Sequence, residues 1–324
     1  MEKSEVELRS DQQIAADFLS YLQSDSTEHV VYEVEPTRLM GGMDARLYRY
    51  KLVGDDPKVL RILRPEHKEE LLLYHQFVHQ TLNQQGLKAP VIHRVCGDPS
   101  VFGGVFAVMD LVPGRPLDQQ EPEVFTSVLG ESMATMHELD VGHVVDAFKR
   151  GGVPEDWFLS PAALQRVLAL IEQAAPWAVE LIDWLRNHLP LGGTDVSVTH
   201  GDYHGRNVMF EDGAVTGVLD WSFCIADPAL DLANMMNVYF LYAPQIVADL
   251  SPRLSEQIVE GVLKAYQGIR SLDHERIKAF RVYQLLGALC AGSAAPEFVR
   301  KPESKRDYVT FIEHTTGLKL SPSA

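Results

Sequence analysis

Three polar residues past the middle of the chain, Asp202, Asn207 and Asp220, have the types and spacing that phosphoryl transfer needs. They lie in Val198-Thr-His-Gly-Asp-Tyr-His-Gly-Arg-Asn-Val-Met-Phe210 and Val218-Leu-Asp-Trp221, with Asp227-Pro-Ala-Leu-Asp231 close behind. Moving a phosphoryl group from a nucleotide asks for little covalent help. It requires a hydroxyl aimed at the γ-phosphorus and cations over the phosphate oxygens. A carboxylate beside the acceptor, Asp202, can take the hydroxyl proton. An amide oxygen, Asn207, and a second carboxylate, Asp220, are hard oxygen ligands of the kind Mg²⁺ prefers. A zinc reading of His200 and His204, four residues apart, lacks a third ligand and the HExxH glutamate, and a glycine stands between the two rings.

Positioning these residues requires a hairpin on either side of a turn, and the pattern supplies it. Val196–Thr199, Val208–Phe210 and Val215–Leu219 read as short strands. Upstream, Ile14, Phe18 and Leu22 predict an opening helix over 10–22. Val30–Leu39, Arg46–Val53 and Lys58–Leu63 read as strands, Glu66–Gln85 as a helix, and Val91–Val95 and Val105–Leu111 as strands. Val112-Pro-Gly-Arg-Pro116 breaks that pattern, and a boundary is expected there, giving domains 1–112 and 113–324. Helical stretches follow over 122–139, 161–174, 176–188, 229–241, 254–268, 273–293 and 303–316.

The 324 residues are 46% hydrophobic and 23% charged, which fits a globular chain with a sizeable core. A net charge of −16, divided −5 and −11 across residue 112, would repel a polyphosphate backbone, so nucleic acid is not an expected partner. No apolar run approaches the roughly 20 residues of a membrane span, and Met1–Ser10 is charged, so a cytosolic location is expected. Cys96, Cys224 and Cys290 lie too far apart for a CxxC metal or redox motif.

His200-Gly-Asp-Tyr-His204 with Asn207, followed by Leu219-Asp220-Trp221, resembles the aminoglycoside phosphotransferase and choline kinase-like family, over about residues 30–240. The resemblance implies an α+β, bilobal protein kinase-like fold: an N-lobe of antiparallel sheet plus helix and a mostly helical C-lobe, with ATP or GTP bound between them. It implies Asp202 as base, Asn207 and Asp220 on Mg²⁺, and His200 with Asp227 or Asp231 as scaffold. Gly41 and Gly42 are expected to approach phosphate through bare backbone, although Met43 and Asp44 depart from the family's usual serine and asparagine. Arg61 occupies the slot of the usual strand lysine. Its expected partner is Glu70, with Glu69 and His75 as alternatives. Asp110 and Val112 are expected to read the base edge, with Met109 behind it.

The expected activity is therefore that of a small-molecule kinase. Its acceptor would be a hydroxyl compound, aminoglycoside-like or another small metabolite, and the acidic C-lobe suits a cationic one. The alternative is a catalytically silent nucleotide-binding regulatory module of the same fold, suggested by Arg61, Asp44 and the missing clear helix glutamate.

Overall fold

The structure is a computed structural model that describes residues 9–321 apart from 28, 41–44, 154–160, 193–195, 223, 248–249 and 293–294. The chain divides into two compact units, Met1–Pro113 and Gly114–Ala324.

The first unit opens with helix α1 (Asp11–Ser24), started by a capping box in which Ser10 and Gln13 satisfy each other's backbone N–H groups. Five strands follow in chain order with one helix between them: β1 (Tyr32–Leu39), β2 (Ala45–Leu52), β3 (Lys58–Leu63), α2 (Glu69–Gln84), β4 (Ile92–Cys96) and β5 (Phe106–Asp110). They form one sheet of order β1-β2-β3-β5-β4, antiparallel at every pairing. The period-2 alternation of β3 divides its side chains between two cores. Leu60 and Ile62 join Ile14 and Phe18 of α1 with Tyr48, Tyr50 and Phe106, while Leu63 joins Leu72 of α2, Ile92 and Ala107. Arg61 shares the parity of Leu63 and so stands on the α2 side of the sheet.

The second unit is mostly helical. It begins with the two-residue strand β6 (Arg115–Pro116) and continues through α3 (Pro122–His137), α4 (Val141–Arg150), α5 (Pro161–Ala174) and α6 (Val179–His188). Strands β7 (Ser197–Thr199), β8 (Val208–Glu211), β9 (Ala214–Val218) and β10 (Cys224–Ala226) follow. Helix α7 (Ala229–Asn237) runs directly into a π-helical turn, Val238–Tyr242. Then come α8 (Pro252–Gln267), α9 (His274–Cys290), α10 (Glu297–Arg300) and α11 (Pro302–Thr316). No helix among the described residues is long and apolar enough to cross a membrane.

Most expected elements lie within two or three residues of the observed ones. The sequence pattern gave no sign of α4, β6, β10 or the π turn. The expected helix over 229–241 is α only to Asn237. Beyond that point the hydrogen bonding widens by one residue, a change that leaves no mark in an apolar pattern.

Candidate active site

Asp202, Asn207 and Asp220 come together through one hairpin. Strands β8 and β9 pair Val208 with Val218 and turn through Asp212 and Gly213, both at positive φ, as a two-residue I′ loop requires. At the open end, the Leu219 N–H donates to the Asn207 carbonyl at 2.7 Å and extends the ladder by one rung. Asn207 and Asp220 therefore leave the same end of the hairpin. The other side of the loop is anchored by β7, which pairs antiparallel with β10.

His200 links the two halves. Its ring is fully buried; Nε2 lies 2.8 Å from the Leu219 carbonyl, and Nδ1 accepts the Asp202 N–H at 3.1 Å. Only the neutral ring with its proton on Nε2 can make both bonds. Burial, outweighing the attraction of Asp231, keeps its pKa below the usual histidine value, in agreement with that neutral state. With both nitrogens occupied, His200 has no lone pair for a metal, which removes the zinc reading. Among the described residues no group of three or more His, Cys, Asp or Glu could hold a metal ion.

Asp231 is the other anchor. Its carboxylate is fully buried and accepts the N–H of His200 and of Gly201, both at 2.7 Å. His137 Nε2 stands 3.2 Å from the same carboxylate, and His137 Nδ1 is 2.8 Å from the Tyr266 hydroxyl. Gly201 takes φ +83°, and a β-carbon there would lie 2.7 Å from the Ser222 carbonyl oxygen. The Tyr239 hydroxyl, from the π turn, accepts the Gly205 N–H at 3.2 Å. Asp231 thus supports the backbone of the loop, while the His200 ring reaches Leu219. Asp227 faces elsewhere, accepting from the Ala229 N–H and from Arg276.

On this frame Asp202 remains partly exposed. Its Oδ2 lies 3.5 Å from His204 Nε2 and from Asn207 Nδ2. Burial raises its pKa, but the His204 ring and the Asn207 amide outweigh that effect and leave the carboxyl below its ordinary range. The Asn207 amide nitrogen donates to the Asp202 carbonyl at 2.9 Å, and Asn207 Oδ1 takes no hydrogen bond among the described residues. Asp220 is exposed, its carboxylate has no partner among the described residues, and its backbone is held at φ +52°. A residue with a β-carbon occupies that region at a cost, and such outliers cluster at functional sites. Two hard oxygen donors without protein partners, one from Asn207 and one from Asp220, fit a divalent cation such as Mg²⁺.

In the first unit, Gly41, Gly42, Met43 and Asp44 lie outside the described residues. Arg61 is half-buried between Leu47 and Ala107 and makes no ion pair among the described residues. The expected Arg61–Glu70 pair is not formed. Glu70 is exposed, and at about 100° per residue a group five positions later stands well round the helix. That group is His75. Burial, then the charge of Arg61 nearby, lowers its pKa to about 3. Glu69 lies against the backbone of Gly97. Asp110 donates its N–H to the Val91 carbonyl, and its carboxylate takes Lys58 at 2.8 Å and His93 at 2.6 Å. Its N–H and carboxylate are thereby engaged, and its carbonyl oxygen takes no hydrogen bond from a loop or turn N–H among the described residues. Val112 makes no backbone hydrogen bond among the described residues.

The part played by His137 and the hydrogen bond of Tyr239 to the loop are not foreseeable from the sequence pattern. Both act on the loop from distant elements, and only the fold brings them there.

Solved structures share this fold. A thermostable mutant of aminoglycoside phosphotransferase APH(4)-Ia superposes with a TM-score of 0.61 at 16% identity, covering 93% of this chain and 100% of that one. The same protein has been solved as a ternary complex with AMP-PNP and hygromycin B (TM-score 0.59, 14% identity, 94% and 98% covered). Macrolide 2'-phosphotransferase MphH from Brachybacterium faecium gives 0.56 at 19% identity, covering 91% and 98%. By sequence, the chain is 26% identical over 213 residues to acyl-CoA dehydrogenase family member 11 of Homo sapiens, covering 60% of this chain and 25% of that protein. It is 30% identical over 179 residues to the Gallus gallus member 11, covering 52% and 22%. The chain thus spans about a quarter of the length of these relatives. The family model described as phosphotransferase enzyme family, APH, matches residues 36–280. That match takes in both units and every residue of the loop and hairpin, and with the kinase-like fold around them it makes this chain a member of the APH phosphotransferase enzyme family.

Proposed function

We propose that the protein is a small-molecule kinase that moves the γ-phosphate of ATP or GTP to a hydroxyl of its acceptor. The observation that carries this reading is the pairing of Asn207 and Asp220 at one hairpin end, each with an unpartnered oxygen, beside an Asp202 that Asn207 itself holds. The acceptor oxygen forms a bond to the γ-phosphorus, the bond from that phosphorus to the β-bridging oxygen breaks, and the nucleoside diphosphate leaves with the electron pair. The hydroxyl proton passes to the Asp202 carboxylate, which is ionised, partly exposed and has no hydrogen bond to its Oδ1 among the described residues. Mg²⁺ held by Asn207 Oδ1 and Asp220 would neutralise phosphate charge. In the first unit, Arg61 is proposed for the phosphates together with Gly41 and Gly42, and Asp110 and Val112 for the base. Glu70 keeps a place only as an exposed acid near the start of α2.

The test is the melting temperature with Mg²⁺ and ATP or GTP, on wild type and on Asp220→Ala. Ligand at about 100 times Kd adds roughly 2.7 kcal/mol, a rise of several degrees for a chain of this size. A rise that needs Mg²⁺ and disappears in Asp220→Ala supports the reading; no rise with either nucleotide defeats it. The silent-module alternative has one observation in its favour, an Arg61 without an acidic partner among the described residues. Slow nucleotide hydrolysis that Asp220→Ala abolishes would exclude it.

A further inference from the structure

Helix α9 buries a positive charge that no acidic side chain among the described residues neutralises. Arg281 is 7% exposed on a helix buried nearly all round, with Ala279, Phe280, Val282 and Leu285 buried as well. A guanidinium at that depth ordinarily faces a carboxylate. Arg281 has none within ion-pair distance among the described residues. The two buried acids of this unit are engaged elsewhere, Asp227 with Arg276 and Asp231 with the loop N–H groups. Burial lowers the Arg281 pKa to about 10, so the charge persists at neutral pH.

The guanidinium is held in place from several sides. Nε donates to Asn237 Oδ1 at 2.9 Å, and Cζ lies 4.0 Å from the Phe311 ring centroid and 5.5 Å from that of Phe240. The Asn237 amide is itself fixed by Gln284 Oε1 at 3.1 Å, and Gln284 donates to the Leu230 carbonyl. Nη1 and Nη2 take no acceptor among the described residues, yet neither is sealed from solvent. Two adjacent Nη groups on a guanidinium held in one orientation, neither with an acceptor among the described residues, match the geometry of a carboxylate or phosphate.

The same helix ties this group to the loop. Asp231 near the start of α7 holds residues 200 and 201, and Asn237 at its end holds Arg281, about 9 Å further along the axis. Tyr242, at the end of the π turn that continues α7, interacts electrostatically with both Asp202 and Arg281. Arg281 falls just past the family-matched residues 36–280, and Phe311 lies further still. Arg281 and Phe311 thus lie outside the family match, and the Asn237 and Phe240 that hold the guanidinium lie within it.

We propose that Arg281 is the anion-recognising residue of the acceptor pocket, and that the acceptor is a hydroxyl compound carrying a carboxylate or phosphate, held by the Arg281 Nη pair with its hydroxyl at Asp202. The hydroxyl part rests on the kinase reading; the anion site does not. The bonds made and broken are those of the transfer already described, and the anionic group stays unchanged. The cationic acceptor expected from the acidity of this unit is thereby replaced. Surface acids are solvated, whereas a second cation brought beside a buried Arg281 would be repelled without screening.

The test has two arms. In the first, without nucleotide, calorimetry measures binding of glycerate, 3-hydroxybutyrate and glycerol 3-phosphate against 3-hydroxybutyramide, glycerol and ethanolamine. The anions should bind at least about tenfold more tightly than the uncharged compounds, and Arg281→Met should erase that margin. If Arg281→Met does not fold, Arg281→Lys carries the test, because an ammonium keeps the charge and loses the two-pronged geometry. Carboxylates binding better than the phosphate, or the reverse, identifies which anion fits. Equal binding of anionic and neutral probes, or anion binding unchanged in the variants, overturns the proposal. The second arm adds Mg²⁺ and ATP and measures transfer. Anions that bind through Arg281 with no nucleotide bound or transferred would defeat the kinase reading and leave the anion site standing. Transfer to ethanolamine or glycerol with unchanged KM in Arg281→Met would do the opposite.

Discussion

Asp202 and Asp231 are acids of the same type, and their surroundings give them opposite roles. Every donor around Asp231 is an N–H pointed at it, and no water reaches it, so it is a strut. Asp231→Ala would strand two backbone N–H groups in the interior and release His137. The expected cost is about 3–5 kcal/mol, read as a fall in the urea midpoint, with a loss of activity that comes from folding. Asp202 has one oxygen near His204 and Asn207 and the other without a partner among the described residues, so that second oxygen is available for the proton transfer proposed above. Asp202→Asn should keep nucleotide binding and lower kcat by roughly 10²–10⁴-fold. Stopped transfer with an unchanged nucleotide-dependent melting shift is the expected pattern, and normal turnover would remove Asp202 from the mechanism.

Helix α2 shows what an element decides that a residue cannot. The sheet places Arg61 on the α2 side, and the phase of the helix brings His75 near it while Glu70 remains in water. Unfolded, the His75 ring takes its proton near pH 6.5; folded, it resists protonation until about pH 3. Between those values the unfolded chain binds the extra proton, so stability is full above about 6.5 and declines as pH falls. His75→Gln should therefore lose less of its urea midpoint than wild type between about pH 7 and pH 4.5. Equal losses would mean the ring is not the titrating group. Gly201→Ala tests the loop in the same way. A β-carbon 2.7 Å from the Ser222 carbonyl at φ +83° should destabilise the protein and misplace Asp202, lowering kcat as well as the melting temperature.

These elements also mark how far the sequence could be read. Asp202, Asn207 and Asp220 were legible because one hairpin carries all three, so spacing along the chain nearly equals arrangement in space. Strand β3 was legible to the residue because both its faces are apolar. The choice of Glu70 over His75 needed the rotational phase of α2, which depends on which face packs against the sheet. Arg281 resembles a surface residue in sequence, and only the positions of Asn237 and Phe311 show that it is buried.

At the scale of the molecule, the net charge of −16 sets the response to salt. The exposed ion pairs, such as Lys51–Glu33 and Lys278–Glu275, contribute little each, so screening them costs little. Self-repulsion acts over the whole surface, and it is relieved as the Debye length falls from about 30 Å at 0.01 M to about 8 Å at 0.15 M salt. The melting temperature should therefore rise over that range, and a fall would show that the ion pairs dominate. The place of Asp231 in the chain has a consequence in time. All five strands of the first unit have been synthesised by Asp110, whereas the loop at 200–201 is closed by a residue 30 positions further on. At about 5–20 residues per second, that loop leaves the ribosome roughly two to six seconds before the carboxylate that closes it. During that interval a nascent chain holds a complete first sheet and a loop whose two N–H groups still lack the carboxylate that accepts them.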